Sequence, residues 1–209
     1  TQPFLLDSDS DDSIDRQNQG SNTVSDLIDA GSYDLEARPG SSPTAESTDV
    51  ATVILEERGT QALNTWTVPN GVSISDLEDV NEAAADGDLT QTTDIANGDK
   101  VVHEVQASGL EGVLNAQNNE DVTTEFFEMR QNVFNFTVEQ TDAGANQAPW
   151  HLKLTSSNTT VVADGDNDTY YIVVNTQTAN IQRSGNSIPD DEGLTANFTV
   201  IQDDLNGYG

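Results

Sequence analysis

Hydrophobic and polar residues alternate over short stretches along most of this chain, with turn residues between the stretches. In residues 133–140, Phe134, Phe136 and Val138 share one side and polar residues occupy the other. A period of two is typical of β-strands with one buried face. The same kind of pattern predicts strands over residues 50–57, 61–68, 101–107, 169–175 and 195–202.

The spacing of these strands indicates how they are connected. The run TYYIVVN at residues 169–175 is the most apolar of them and predicts a central strand. Arg58-Gly59-Thr60 separates two of the predicted strands and predicts a hairpin between residues 50–57 and 61–68. Many short strands joined by Gly, Asn and Asp turns predict an all-β fold, an antiparallel Ig-like β-sandwich.

One short crossover helix is expected between the strands. Ser75 and Glu78 have the spacing of a capping box, and apolar residues then recur at helical spacing until Gly87. Residues 111–120 have a weaker helical pattern and suggest one further turn of helix.

Residues 1–32 differ from the rest of the chain. They are acidic and without a regular period, apart from an apolar patch formed by Phe4, Leu5 and Leu6. Alone, such a segment buries too little apolar surface to offset its ordering entropy. We therefore predict an extended N-terminal segment over residues 1–32, a possible donated strand, followed by a β-sandwich domain over residues 33–209.

Charge decides the environment in which this chain folds. Its 209 residues include 37 Asp and Glu against seven Lys and Arg, a net charge of −30. Self-repulsion of this size opposes compaction, but at molar salt the screening length is only about 3 Å. The composition therefore predicts a protein of strong brine, and the charge excludes nucleic acid and anionic lipid as partners.

The absence of cysteine and of a long apolar run excludes further classes of protein. The chain has no cysteine, which excludes disulfides and thiolate metal sites. No apolar run approaches the roughly 18 residues of a membrane span, so no direct membrane insertion is expected.

The chain contains four Asn-x-Thr sequons. In two of them the strand pattern points the Asn outward and the following Phe inward, where an N-linked glycan could project. The alternative is an unmodified polar surface. The candidate acceptors are Asn135, Asn158, Asn167 and Asn197.

One loop resembles the first half of an EF-hand. Asp164, Asp166 and Asp168 place carboxylates at alternate positions, but Asn175 stands where the bidentate Glu is expected. Weak calcium or magnesium binding is the resulting prediction, and a plain hairpin loop is the alternative. No metal or cofactor is expected to be required.

Signatures of catalysis are missing from the sequence. It has no Gly-rich phosphate loop, no Gly-x-Ser-x-Gly turn and no thiol nucleophile. His103 lies on an apolar strand face and is interpreted as a core histidine, and His151 as a strand entry. Trp66 and Trp150 are interpreted as core residues, with a sugar-stacking surface as the alternative.

Three stretches of the second half resemble a known family. GDKVVHEVQASGLEGVL at 98–114, FNFTVEQTDAGANQAPWHLKL at 134–154 and NTTVVADGDNDTYYIVVNT at 158–176 are similar to the BGTF-type surface domain of haloarchaeal cell-surface and S-layer-type glycoproteins. The resemblance covers roughly residues 33–202. It implies a secreted, glycosylated, all-β structural module of a salt-loving archaeon.

These observations together predict a non-enzymatic, extracellular structural subunit of the cell surface. Its expected partners are copies of itself, in a filament or a layer, and other surface glycoproteins. Self-assembly is expected through strand donation, with Phe4, Leu5 and Leu6 seated in a groove of a neighbour. In the intrachain alternative the tail wraps its own domain. The alternative function is an adhesin that binds glycans or surfaces.

Overall fold

The computed structural model describes residues 30–39, 46–55, 59–115 and 121–201. The chain divides into two compact units, Thr1–Glu57 and Arg58–Gly209. The predicted N-terminal segment lies almost wholly outside the described residues, and its boundary at residues 32 and 33 stays a prediction.

The described part of the first unit is an antiparallel hairpin. Strand β1 (Gly31–Ala37) pairs with β2 (Asp49–Leu55), and Tyr33 lies opposite Val53. The predicted hairpin between residues 50–57 and 61–68 is therefore wrong. Gly59 and Thr60 are not a turn but begin the next strand, where they pair with distant residues, so long-range pairing overrides the local turn signal.

The second unit contains nine described strands. They are β3 (Gly59–Val68), β4 (Thr90–Gln91), β5 (Lys100–Ser108), β6 (Phe134–Gln140), β7 (Leu152–Lys153), β8 (Thr159–Asp164), β9 (Thr169–Asn175), β10 (Asn180–Ile181) and β11 (Leu194–Val200).

Five of these strands form the main sheet, in the order β4-β3-β5-β9-β8, and all its pairings are antiparallel. The pairs β11-β6 and β10-β7 form two smaller sheets, and β6 meets the start of β7 through a bridge between Glu139 and His151. The fold is an all-β sandwich, as predicted, whereas its Ig-like topology stays a prediction. Strand β9 lies inside the main sheet, which confirms that TYYIVVN is a central strand.

The main core lies between the two layers of the sandwich, one formed by the main sheet and the other by β6, β7 and the helices that precede β6. One face of the main sheet packs against apolar residues of β6, of β7 and of the helices that precede β6. The largest fully buried side chains in it include Tyr170, Phe134, Phe136, Leu114 and Ile172. Phe126 and Phe134 are neighbours in it, with ring centroids 4.7 Å apart.

The described residues contain three α-helices, where the sequence predicted one with a possible further turn. These are α1 (Leu77–Asp86), α2 (Glu111–Asn115) and α3 (Val122–Met129), followed later by a 3₁₀ turn at Gly165–Asn167. Helix α3 was missed because its eight residues are too few for a helical period to stand out.

Helix α1 confirms the predicted helix but begins at a different cap. Asp76 is the N-cap, and its side chain accepts a hydrogen bond of 3.0 Å from the Asp79 amide. Asp79 in turn accepts from the amide and hydroxyl of Ser75, at 2.7 and 2.6 Å, and these bonds lower the pKa of its carboxyl. Gly87 ends the helix with a left-handed φ of 80°. The cap therefore lies one residue later than predicted, with Asp76 and Asp79 in place of Ser75 and Glu78.

Helix α1 covers the second face of the main sheet. Its buried residues Val80 and Ala83 belong to a second core cluster with Val102 and Val173 of the sheet. The sheet is thus buried on both faces in its centre, which explains why β9 is nearly continuous in apolar residues.

Candidate functional site

Two of the four sequons lie opposite each other on the same strand pair. In the register of β6 and β11, Asn135 faces Thr199 and Thr137 faces Asn197. Both asparagines are exposed, and the central pair Phe136 and Phe198 points to the core. The predicted outward orientation is confirmed. Two glycan acceptors therefore share one outer face as diagonal neighbours, a spacing of about 7–8 Å in such a sheet.

The other two sequons lie in tighter surroundings. The Asn158 side-chain amide donates to the carbonyl of Lys153 at 2.8 Å, and its oxygen accepts from the Thr155 amide at 2.9 Å. Asn167 is exposed in the 3₁₀ turn, where its amide donates to the Asp164 carboxylate at 2.9 Å. A glycan at Asn158 would disturb bonds that hold the turn before β8. On the outer face of β6 and β11, the Asn197 amide donates to the Glu139 carboxylate at 3.3 Å, and a glycan there would displace this bond. Glycan occupancy stays a prediction at all four positions.

The acidic loop joins β8 to β9. Asp166 is exposed in the 3₁₀ turn, and Asp168 ends the turn with a left-handed φ of 49°. Gly165 lies under the carboxylate of Glu111, so closely that a Cβ atom there would be 2.4 Å from that oxygen. Glu111 is thus a neighbour of the loop that the sequence pattern did not indicate. In the described part of the chain, no three acidic or histidine side chains are grouped to hold a metal ion, and calcium or magnesium binding stays a prediction.

His103 is a buried histidine, as predicted. It is 5% exposed, its ring meets Phe136 edge-on at 5.4 Å, and its Nδ1 has no hydrogen-bond partner among the described residues. Burial lowers the pKa of His103 to about 4, so the ring is neutral above that pH.

His103 also lines a cavity of about 900 Å³ between the two layers of the sandwich. The inner walls are mostly apolar and include Val101, Val138 and Leu194. The rim carries carboxylates from two loops, namely Asp94, Asp190, Asp191 and Glu192. The strand pattern gave no sign of this opening, because it depends on how closely the two layers meet.

A smaller cavity, of about 310 Å³, is lined by both polar and apolar residues of β6, of β7 and of the loops around them. Arg130 and His151 contribute to its wall, and in the part of the chain that the structure describes a buried nitrogen of each lacks a hydrogen-bond partner. His151 Nδ1 lies 3.6 Å from the Glu139 carboxylate, too far for a hydrogen bond. His151 does bridge to β6, which confirms the predicted strand entry.

Neither tryptophan forms an exposed platform. Trp66 is half-buried against the second core cluster and donates to Glu104 at 2.6 Å, and Trp150 is half-buried against the main core. The interpretation of both as core residues is confirmed. The third group of predicted site residues, Phe4, Leu5 and Leu6, lies outside the described residues.

Fold and charge together define a class, an acidic β-sandwich domain of a protein that works in concentrated salt. Within the described ranges, no helix is long and apolar enough to cross a membrane.

Within that class, the chain is homologous to haloarchaeal cell surface glycoproteins. It is 40% identical over 186 residues to the cell surface glycoprotein of Haloferax gibbonsii, which covers 85% of this chain and 20% of that protein. Cell surface glycoproteins 2 and 1 of Haloarcula hispanica are 34% and 33% identical over 90% and 93% of this chain, and over 23% and 24% of their own lengths. The names of these homologues agree with the predicted extracellular, cell-surface location.

The chain spans about a fifth to a quarter of the length of these relatives. No family model matches it, so the BGTF-type resemblance stays a prediction. No solved structure matches it either.

Proposed function

We propose that this chain is a non-enzymatic structural module of a haloarchaeal cell surface and that it binds copies of itself in a layer or a filament. The homologues are named cell surface glycoproteins, and the charge of −30 suits a surface in brine. At molar salt the repulsion between two such chains is screened within about 3 Å, so close contact between copies is possible there.

The observation that carries this proposal is the open side of the sandwich. On its outer edge β11 pairs with no described strand, and β4 covers β3 only at Trp66 and Thr67. The core-facing residues Leu194, Ala196 and Phe198 of β11 are only half-buried. A strand edge that no described strand covers, beside half-buried apolar side chains, suits an added strand, which would supply main-chain hydrogen bonds and cover the core.

The segment proposed to fill this side is residues 4–6 of a neighbouring copy. The cavity of about 900 Å³ opens along β11 and extends to His103 and Val138. In an extended segment Phe4 and Leu6 share one side, so both side chains would enter the cavity together. Residues 1–6 carry no acidic side chain and so add no repulsion at the acidic rim. The alternative remains that the segment covers its own chain.

The hairpin β1–β2 supports self-association independently. Its side chains are exposed except for the half-buried Leu55, with Leu35 at 58% and Ile54 at 69%. A two-stranded hairpin is marginally stable by itself, and its stability rises when an apolar face is covered.

Divalent cations are proposed to bridge carboxylates that remain at the contacts between copies. Calcium and magnesium prefer oxygen ligands, and this chain offers 37 acidic side chains. Chelation with EDTA at constant ionic strength should loosen the assembly, and an unchanged assembly would argue against bridging ions.

Strand donation is tested by deletion and by trapping. Removing residues 1–30 should leave a folded protein that no longer assembles in strong salt, and assembly that survives the deletion refutes donation. Because the chain has no cysteine, two single variants, Leu6→Cys and Ala196→Cys, can be mixed under oxidation. A disulfide dimer is the expected product, because each copy carries only one thiol. If the double variant forms a disulfide only within one chain, the segment covers its own domain.

A further inference from the structure

The smaller cavity contains two buried nitrogen atoms without a hydrogen-bond partner in the described structure. They are Nη1 of Arg130 and Nδ1 of His151, and both residues line the same space of about 310 Å³. The Glu139 carboxylate lies 3.6 Å from the histidine nitrogen, so Arg130 is the stronger donor for a ligand. Gln131 and Gln182 line this space as well, together with apolar residues such as Leu152 and Leu154. Buried polar atoms are nearly always paired in proteins, so two unpaired ones in one cavity indicate a ligand that carries oxygen acceptors.

The wall of this cavity is fixed before any ligand arrives. The Arg130 amide closes helix α3 with a bond of 2.9 Å to Phe126, and the Gln131 amide donates to the Phe134 carbonyl at 2.6 Å. Gln131 has a left-handed φ of 81°, which makes this connection tight. The Gln182 amide donates to the carbonyl of His151 at 2.8 Å. The backbone that carries the Arg130 and His151 side chains is therefore held in place by its own hydrogen bonds.

The charge of Arg130 is the second part of the argument. Arg130 is one of seven basic residues in the chain, it is half-buried, and no carboxylate of the described residues pairs with it. Burial lowers the pKa of its guanidinium, the sign of a charge that lacks compensation. The Phe127 ring covers the guanidinium at 5.6 Å, and such contacts leave the in-plane N–H groups to bind oxygen. The in-plane N–H groups of a guanidinium form a planar fork of donors, and a planar carboxylate is the group that matches this fork.

We propose that the cavity binds a carboxylate side chain, Asp or Glu, of a second copy of this chain. The inference rests on the proposed self-assembly, because a second copy presents 37 acidic side chains and Arg130 offers them a cation without a partner. Strong salt screens the repulsion between the two surfaces, but it screens a half-buried pair much less. Contact through Arg130 therefore survives under the conditions in which the chains can approach.

Exchange of Arg130 tests the role in assembly. Arg130→Gln should raise the protein concentration needed for assembly roughly tenfold or more, as expected for a lost charge-assisted hydrogen bond. Arg183→Gln is the matched control, because it changes the net charge equally from an exposed position. Arg130→Lys keeps the charge but loses the planar fork of donors, so the concentration that it needs for assembly should lie between those of wild type and Arg130→Gln. Sedimentation velocity in molar potassium chloride measures all four proteins.

Binding of sodium glutarate tests the cavity without assembly. In dilute wild-type protein, glutarate should shift the amide resonances of Gln131 and Gln182 in a saturable way, and Arg130→Gln should abolish the shift while the spectrum stays dispersed. No shift in the wild-type protein overturns the carboxylate site. If Arg130→Gln assembles like Arg183→Gln, the role in assembly is wrong although self-assembly stands.

The remaining outcomes identify the source of the carboxylate. Asn135 also lines the cavity, so an acidic sugar on this residue is the competing source. Sodium glucuronate that binds more than tenfold tighter than glutarate, with assembly unaffected by Arg130→Gln, would favour the sugar and overturn the second copy. If glutarate binds but the wild-type chain never assembles, the proposed function is wrong. The proposal that the carboxylate comes from a second copy is then wrong too, while the carboxylate site itself stands.

Discussion

Protonation of His103 should destabilise the folded protein in mild acid. The ring is 5% exposed, and burial lowers its pKa from an ordinary 6.5 to about 4. In the unfolded chain the ring takes up a proton as the pH falls through 6.5, whereas in the folded chain it stays neutral until about pH 4. The stability that His103 contributes is therefore present above pH 6.5 and is lost as the pH falls toward 4.

The size of this loss follows from the difference between the two pKa values. One pKa unit corresponds to about 1.4 kcal/mol, so the free energy of unfolding should fall by about 3 kcal/mol between about pH 7 and pH 4 through this residue alone. Carboxylates such as Asp79 and Asp121, whose pKa values are lowered by hydrogen bonds, lose stability in the same direction. The contribution of His103 must therefore be isolated by comparison.

Urea denaturation in molar potassium chloride isolates the contribution of His103 to the pH dependence of stability. His103→Leu removes the titrating ring and should reduce the pH dependence by about 3 kcal/mol relative to wild type. The other histidine, His151, is the matched control, and His151→Gln should retain the steep dependence. An equal pH dependence in wild type and His103→Leu would refute the reasoning, and so would a control that behaves like His103→Leu.

Three further predictions concern the core, a helix cap and the glycan acceptors. Phe136→Ala should lower the free energy of unfolding by about 3–5 kcal/mol, because this ring is fully buried, and a loss below about 1 kcal/mol in urea denaturation would contradict the described core. Asp121→Ala should cost about 1 kcal/mol in the same assay, because Asp121 accepts from the Thr124 amide at 3.1 Å as N-cap of α3, whereas Asp121→Asn should retain most of the cap. Asn135→Gln and Asn197→Gln should each lower the intact mass of protein from its native host by one glycan, and unchanged masses would show that the outer face of β6 and β11 is unmodified.

The sequence was sufficient to predict the strands that show alternating hydrophobic and polar residues or a continuous apolar run. Alternation in residues 133–140 and 195–202 correctly separated the inward phenylalanines from the outward asparagines. The continuous apolar run of β9 correctly indicated a central strand. These features are local, so a period of two or its absence is enough to reveal them.

Pairing and cavities depend on residues far apart in sequence, and there the sequence failed. A Gly-containing turn signal at residues 58–60 predicted the wrong partner for β2, because pairing of β3 with β5 decides the sheet. Helix α3 is too short for its period to show, and Arg130 at its end carries no motif. Its rarity as one of seven cations was the only signal that could have drawn attention to it.

Imaging the chain in strong salt tests the central claim most directly. Purified full-length protein in near-saturated potassium chloride with calcium or magnesium should form an ordered layer or filament, visible by negative-stain electron microscopy. Protein that stays dispersed as single molecules over the whole range of salt, ions and concentration would contradict the account.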